Sequence, residues 1–377
     1  MAERKKIKFQ NKTGKPDNII KKELELFMQC TAIEEELPAF MRGFFIYLRG
    51  NVLPLTRLAY LRDVHFFCGY LMESGAVSAS VRQDITVADF EKIKAKDVNV
   101  FLDYARKYQK ETEKAVTIYE NSNKSLARKK SSLSVLFKYL YRDEILTHNI
   151  TAGLDPIRVP KPGEHEIKAL QDDEVMRMLD IVSTGIGLTN KQKEFWQKTK
   201  KRDKAILILF LTYGLRLSEL QQLNVSSFNF DRGEFKIYRK RGKESIMPIN
   251  QSTEIVIMEY LEGERPSPDS ISEEDKDALF LSLQGKRMTE RQIRELVKKY
   301  SAFGLKTSQK AGYSPHKLRA TAATSLIGRG EDIYDVQALL DHEQVTTTQL
   351  YAKHKQNVKR NLVNNMEWEL ERKDNDR

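Results

Sequence analysis

Four short segments hold side chains whose types and spacing suit phosphate chemistry. In Tyr213-Gly-Leu-Arg-Leu-Ser-Glu219 an arginine sits among apolar residues, where burying a lone guanidinium would cost several kcal/mol. Glu219, three residues after Arg216, can orient it, and Ser218 is placed to cap a helix beyond the break at Gly214. In Ser314-Pro-His-Lys-Leu-Arg319, Ser314 as N-cap and Pro315 at the first helical position predict a helix start. His316 and Arg319 then share one face of its first turn, where free backbone N–H groups also favour an anion. The third segment carries His342 and, nine residues on, Tyr351; the fourth is a turn with Lys240 and Lys243. Alone, each has an ordinary explanation: a local Arg–Glu pair, a chance His-x-x-Arg, a packing tyrosine, solvated turn lysines.

Positioning these residues calls for two folded regions. Residues 1–33 read as a basic arm with a short helix at Lys21–Cys30, and residues 34–154 as a helical domain. There Ala39–Leu48 is one apolar run, Pro54 opens another, and Val98, Phe101 and Leu102 mark a third. Ser125 is expected to cap a fourth helix with Leu133, Leu136, Phe137 and Leu140 as its buried stripe. Lys124, Arg128, Lys129 and Lys130 fall on its other side and are candidate phosphate contacts. Residues 155–165, rich in proline, form an extended linker. The second domain, 166–377, opens with a helix near Gln171–Val182. Thr189–Lys204 then reads as a basic loop facing solvent or DNA, with Lys200, Lys201 and Arg202 as candidate contacts. Ala205–Thr212 fits a short buried helix, and period-two alternation over Ser227–Ile249 predicts three short strands. Helices are expected again at Glu290–Tyr300, Pro315–Gly328, Ile333–Leu340 and around Lys355–Leu370.

Composition narrows the partner. With 377 residues, 40% hydrophobic and 31% charged, the chain has the profile of a two-domain soluble protein. Its net charge of +11 favours a polyanion, since each neutralised phosphate releases counterions. No apolar run reaches the roughly twenty residues of a membrane helix, so no membrane anchor is expected. The basic N-terminus lacks a secretory signal's apolar stretch, and two distant cysteines, Cys30 and Cys68, suit a reducing compartment. A cytoplasmic, nucleoid-associated location is the expectation.

In combination the segments resemble the tyrosine recombinases, the phage integrase family. The ordered set is R-L-S-E, a hairpin lysine, H-K-L-R, then L-x-H with a tyrosine nine residues later. Within that family the chain looks most like the bacterial Xer type over roughly residues 35–370. The basic insertion at Thr189–Lys204 resembles the single-protein Xer of streptococci and lactococci. The resemblance implies a mainly α fold with a small antiparallel β-sheet: an all-helical core-binding domain and a mixed α/β catalytic domain, clamped around DNA as a C. It assigns Arg216 and Arg319 to the scissile phosphate, Lys240 to the general acid (with Lys243 as neighbouring alternative), His316 and His342 to the two histidine positions, and Tyr351 to the nucleophile. Glu219 matches the acidic residue that braces the first arginine. Two positions depart from the pattern: Ala320 replaces a frequent histidine, and Asp341 replaces the usual glycine before the second histidine. Asp341 would repel DNA unless paired or turned outward.

The chemistry implied is strand cleavage to a 3′-phosphotyrosyl protein and a free 5′-hydroxyl, without metal or nucleotide cofactor. The expected partners are duplex DNA with paired half-sites and further copies of the chain: a dimer per site, a homotetramer on two sites. The amphipathic segment with Leu362, Val363, Met366, Trp368 and Leu370 would dock on a neighbour or on its own domain, and an activating protein is a further expected partner. Chromosome-dimer resolution is the leading role. An integrase of a phage or conjugative element is the alternative, and a DNA-binding regulator on the same fold is the non-enzymatic one.

Overall fold

The computed structural model describes residues 14–112, 115–160, 168–239 and 242–341. The chain separates into two compact units, one ending at Pro160 and the other beginning at Lys161. Among the described residues, no helix is long and apolar enough to cross a membrane.

The first unit is built on six helices: α1 (Asp17–Glu35), α2 (Arg42–Asn51), α3 (Pro54–Glu73), α4 (Val87–Lys92), α5 (Ala95–Tyr104) and α6 (Asn123–Arg142). Pro54 starts α3 because its missing N–H lies where no intrahelical partner exists. Leu58, Leu61, Val64, Phe67 and Leu71 of α3 meet Leu126, Leu133, Leu136, Phe137 and Leu140 of α6 in one core. Phe67 packs against Phe101 at 5.0 Å and against Phe137 at 6.2 Å, both edge to face, the favourable arrangement of ring quadrupoles.

Three expectations change here. The short helix at Lys21–Cys30 is the middle of the longer α1. Ser122, not Ser125, caps α6, because Ser122 has the extended backbone of an N-cap and its hydroxyl accepts from Ser125 N–H at 3.4 Å. Nor is the unit all-helical: β1 (Lys107–Thr112) and β2 (Ala115–Glu120) form an antiparallel hairpin between α5 and α6. Tyr108 lies opposite Tyr119 with the rings stacked at 5.2 Å, so cross-strand pairs stabilise a hairpin whose second strand is exposed throughout.

The second unit contains α7 (Asp172–Thr184), α8 (Asn190–Gln197), α9 (Lys200–Tyr213), α10 (Leu217–Gln221), α11 (Gln251–Gly263), α12 (Glu290–Gly304), α13 (Pro315–Gly328) and α14 (Ile333–Leu340). Its sheet is antiparallel in the order β3 (Phe228–Asn229), β4 (Glu234–Tyr238), β5 (Glu244–Pro248), as the period-two pattern predicts. The buried helix expected at Ala205–Thr212 is the C-terminal part of α9, which packs against α7, α11 and α13. The basic loop expected over Thr189–Lys204 is helical: Thr189 caps α8 in a reciprocal box with Gln192, and Lys200 opens α9. The expected C-terminal helix around Lys355–Leu370 lies outside the described residues.

Candidate active site

α9 ends at Gly214, whose φ of +57° suits the left-handed C-cap that glycine adopts without penalty. Space matters as much as conformation, because a Cβ there would collide with Leu340 Cδ2. The chain then turns, and Arg216 rather than Ser218 occupies the N-cap position of α10. Glu219 reaches back to the Arg216 N–H at 2.8 Å and accepts Nη1 of the Arg216 side chain at 2.8 Å. The carboxylate is buried at 3% exposure and the guanidinium about one-third exposed, so Glu219 anchors Arg216 from below.

α13 begins at Pro315, and its first turn separates the two residues of the His-Lys-Leu-Arg segment. His316 is exposed, whereas Arg319 is buried at 3% exposure. Arg319 donates from Nη1 to Gly214 O at 2.6 Å and from Nη2 to Leu340 O. The glycine turn thus supplies one of the acceptors of Arg319.

These elements converge on the C-terminal end of α14, where helix carbonyls lack intrahelical partners. Three successive carbonyls are met by three arginines from different elements. Arg239, just past β4, donates to Leu339 O at 2.8 Å. Arg319 of α13 donates to Leu340 O, and Arg216 to Asp341 O at 3.0 Å. The negative end of the helix dipole favours cations there. Asp341 holds φ at +51°, the left-handed geometry for which glycine is the usual residue. Its carboxylate lies 3.8 Å from Arg216 Nη1 and 3.4 Å from Lys243 Nζ, so it is paired within the cluster.

The group gathers four cations and two carboxylates: Arg216 and Lys243 pair with Glu219 and Asp341, whereas Arg239 and Arg319 donate to backbone carbonyls. Burial holds the Arg239 guanidinium below its ordinary pKa, against the opposing pull of Glu219 and Asp341. Sequence reasoning passed over Arg239, although strand alternation marks it: Phe235, Ile237 and Arg239 are the buried positions of one run. An arginine in the inward register is the signal.

The candidate phosphate contacts fare differently. Lys129 is buried with Nζ 3.0 Å from Asp63, and Arg202 is buried in an ion pair with Asp203 at 2.8 Å and a bond to Leu281 O. Both are structural cations, since a guanidinium or ammonium buried against a carboxylate is not presented to a ligand. Arg128 is exposed but shares Asp63 with Lys129, and Lys130 bonds Leu154 O and Asp155 O. Lys124 is exposed, Lys200 lies over the Trp196 ring at 4.8 Å, and Lys201 is half-buried beside Glu264. Lys240, His342 and Tyr351 lie outside the described residues.

Comparison with known proteins gives the family and the fold. The phage integrase family profile matches residues 168–357. Tyrosine recombinase XerC of Mannheimia succiniciproducens is 34% identical over 229 residues, 61% of this chain and 70% of that protein. Tyrosine recombinase XerD of Listeria innocua is 28% identical over 310 residues, 82% of this chain and 91% of that protein. The fold is similar to that of the XerH site-specific recombinase bound to a palindromic difH substrate in a post-cleavage complex, with a TM-score of 0.57 and 17% identity over 94% of this chain and 90% of that one. It is also similar to the Tn1549 transposon integrase in complex with circular intermediate DNA, with a TM-score of 0.53 and 20% identity over 86% of this chain and 94% of that one. The chain belongs to the phage integrase family of site-specific tyrosine recombinases.

Proposed function

We propose that this recombinase works in the Xer manner on duplex DNA, with Tyr351 as nucleophile and Arg216 and Arg319 as the phosphate clamp. The observation that carries this reading is the convergence of both arginines on adjacent carbonyls at the end of α14, in a cluster richer in cations than in carboxylates. A scissile phosphate gains negative charge as it becomes pentacovalent, and guanidinium donors held in place beforehand stabilise that charge without reorganisation. Glu219 keeps Arg216 fixed while leaving it partly open to a ligand. His316 accepts the Tyr351 proton, His342 adds a donor to the phosphate, and Lys240 protonates the departing 5′-oxygen.

The phosphotyrosyl bond conserves the energy of the phosphodiester, so a different 5′-hydroxyl reverses the step without ATP. Exchange between two sites then needs two copies of the chain on each, four in all. The likeness to Xer relatives favours chromosome-dimer resolution as the cellular role, and the basic run over Thr189–Lys204 favours the streptococcal-type single protein. A supercoiled plasmid with two directly repeated copies of the native site tests this. In EDTA and without ATP it is expected to resolve into two circles, and Tyr351→Phe to give none. Resolution that required added Mg²⁺ or ATP would contradict the reading.

A further inference from the structure

The hairpin that comes after β4 is tied to the end of α14 at two points, and one tie uses a residue with no role in the clamp. The backbone of Arg239 closes the turn: its N–H donates to Lys243 O at 2.8 Å, and its carbonyl accepts from Gly242 N–H at 3.1 Å. Its side chain is buried at 6% exposure, donates to Leu339 O at 2.8 Å and lies against Met247 Sδ at 3.5 Å. Among the described residues its Nε finds no acceptor, although it is buried. A buried guanidinium left partly unsatisfied is a cost that a neutral residue of similar volume would remove. The second tie is the looser pair of Lys243 with Asp341.

We propose that Arg239 is a positioning residue for leaving-group protonation. It anchors the turn closed between Arg239 and Lys243 to the end of α14, where Arg319 and Arg216 hold the neighbouring carbonyls. The inference rests on the recombinase reading above and deepens it. In the step concerned, the Tyr351 oxygen bonds to phosphorus, the P–O5′ bond breaks, and the 5′-oxygen leaves with a proton from the Lys240 ammonium. A turn free to shift would misplace that proton while leaving the clamp intact. The loss should therefore fall on the proton transfer alone.

The test uses the full chain and a nicked duplex with the native site, made in two forms. One has the ordinary bridging 5′-oxygen; the other has a bridging 5′-sulfur, which leaves as a thiolate and needs no proton. On the oxygen substrate, Arg239→Met is expected to form the covalent adduct about 100-fold more slowly than wild type, the usual scale of a displaced general acid. On the sulfur substrate it should come within about threefold, since no proton is needed. Arg239→Lys keeps a donor for Leu339 O and should fall between, about tenfold slow on oxygen and normal on sulfur. That variant carries the same comparison if the methionine protein does not fold. Equal slowing on both substrates would make Arg239 a general structural residue and overturn the proposal, as would wild-type rates on the oxygen substrate. A wild type inert on both substrates would instead overturn the recombinase reading, and this inference with it.

Discussion

Buried charge is handled in opposite ways in two regions, the first unit and the end of α14 in the second. In the first, cations are bonded to carboxylates: Arg57 and Arg49 share Glu34, and Arg128 and Lys129 share Asp63, which also accepts from Ser132 Oγ at 3.0 Å. In the second, around the end of α14, the arginines are bonded largely to backbone carbonyls, those of Gly214, Leu339, Leu340 and Asp341. A carbonyl dipole orients a guanidinium without cancelling its charge, whereas a carboxylate does both. The first arrangement stabilises a fold; the second keeps positive charge fixed in place for an anion that arrives later.

Substitutions can break this contrast. Arg216→Ala should slow formation of the covalent adduct about 10³–10⁵-fold, the range for an arginine that stabilises phosphoryl charge. Some stability is lost with it, because buried Glu219 keeps the Arg216 N–H but loses its guanidinium partner. Asp63→Ala should spare the chemistry instead. It strands the buried Lys129, so denaturant unfolding is expected to show a loss of about 3–5 kcal/mol. The adduct rate per folded molecule should remain that of wild type. If Asp63→Ala impaired chemistry while leaving stability unchanged, the division between the two regions would be wrong.

A milder change sharpens the comparison. Asp341→Asn keeps a residue that tolerates left-handed backbone while removing the carboxylate facing Arg216 and Lys243. DNA affinity should rise about twofold to fivefold at low salt, the worth of roughly one exposed ion pair. The gain should shrink as salt screens the surface. A binding titration over a salt series that found weaker binding would instead make Asp341 a contributor to the DNA site.

An element is legible in sequence to the extent that its cause is local. α13 and α14 have the expected bounds, Pro315–Gly328 and Ile333–Leu340, because a proline at the first position and a short apolar run are visible within one or two turns. The sheet was legible from alternation because its inner positions, Phe235, Ile237 and Met247, are buried. The β1–β2 hairpin was not: its second strand is exposed throughout and gives no period. The basic run over residues 189–204 read as a loop because its charges masked a local signal, the Thr189–Gln192 capping box, while the bond that buries Arg202 runs to Leu281 O, far off in sequence.

The site divides along the same line. Arg216, Glu219 and Arg319 stood out by residue type and spacing, and the structure brings Arg216 and Arg319 to neighbouring carbonyls. Arg239 belongs to the same cluster only because β4 delivers it to α14, a relation across 100 residues of sequence. The local departure at Asp341 was visible, but its pairing with Lys243 required the hairpin to be in place.

The central claim is that the fixed cations serve phosphodiester cleavage by Tyr351. The most direct measurement is a nicked suicide duplex carrying the native site, incubated in EDTA with wild type and with Tyr351→Phe. Peptide mapping then locates any attached nucleotide. The account predicts a covalent protein–DNA band from wild type alone, with the 3′-phosphate on Tyr351. A band that persists in Tyr351→Phe, or a nucleotide mapped to another residue, would contradict it.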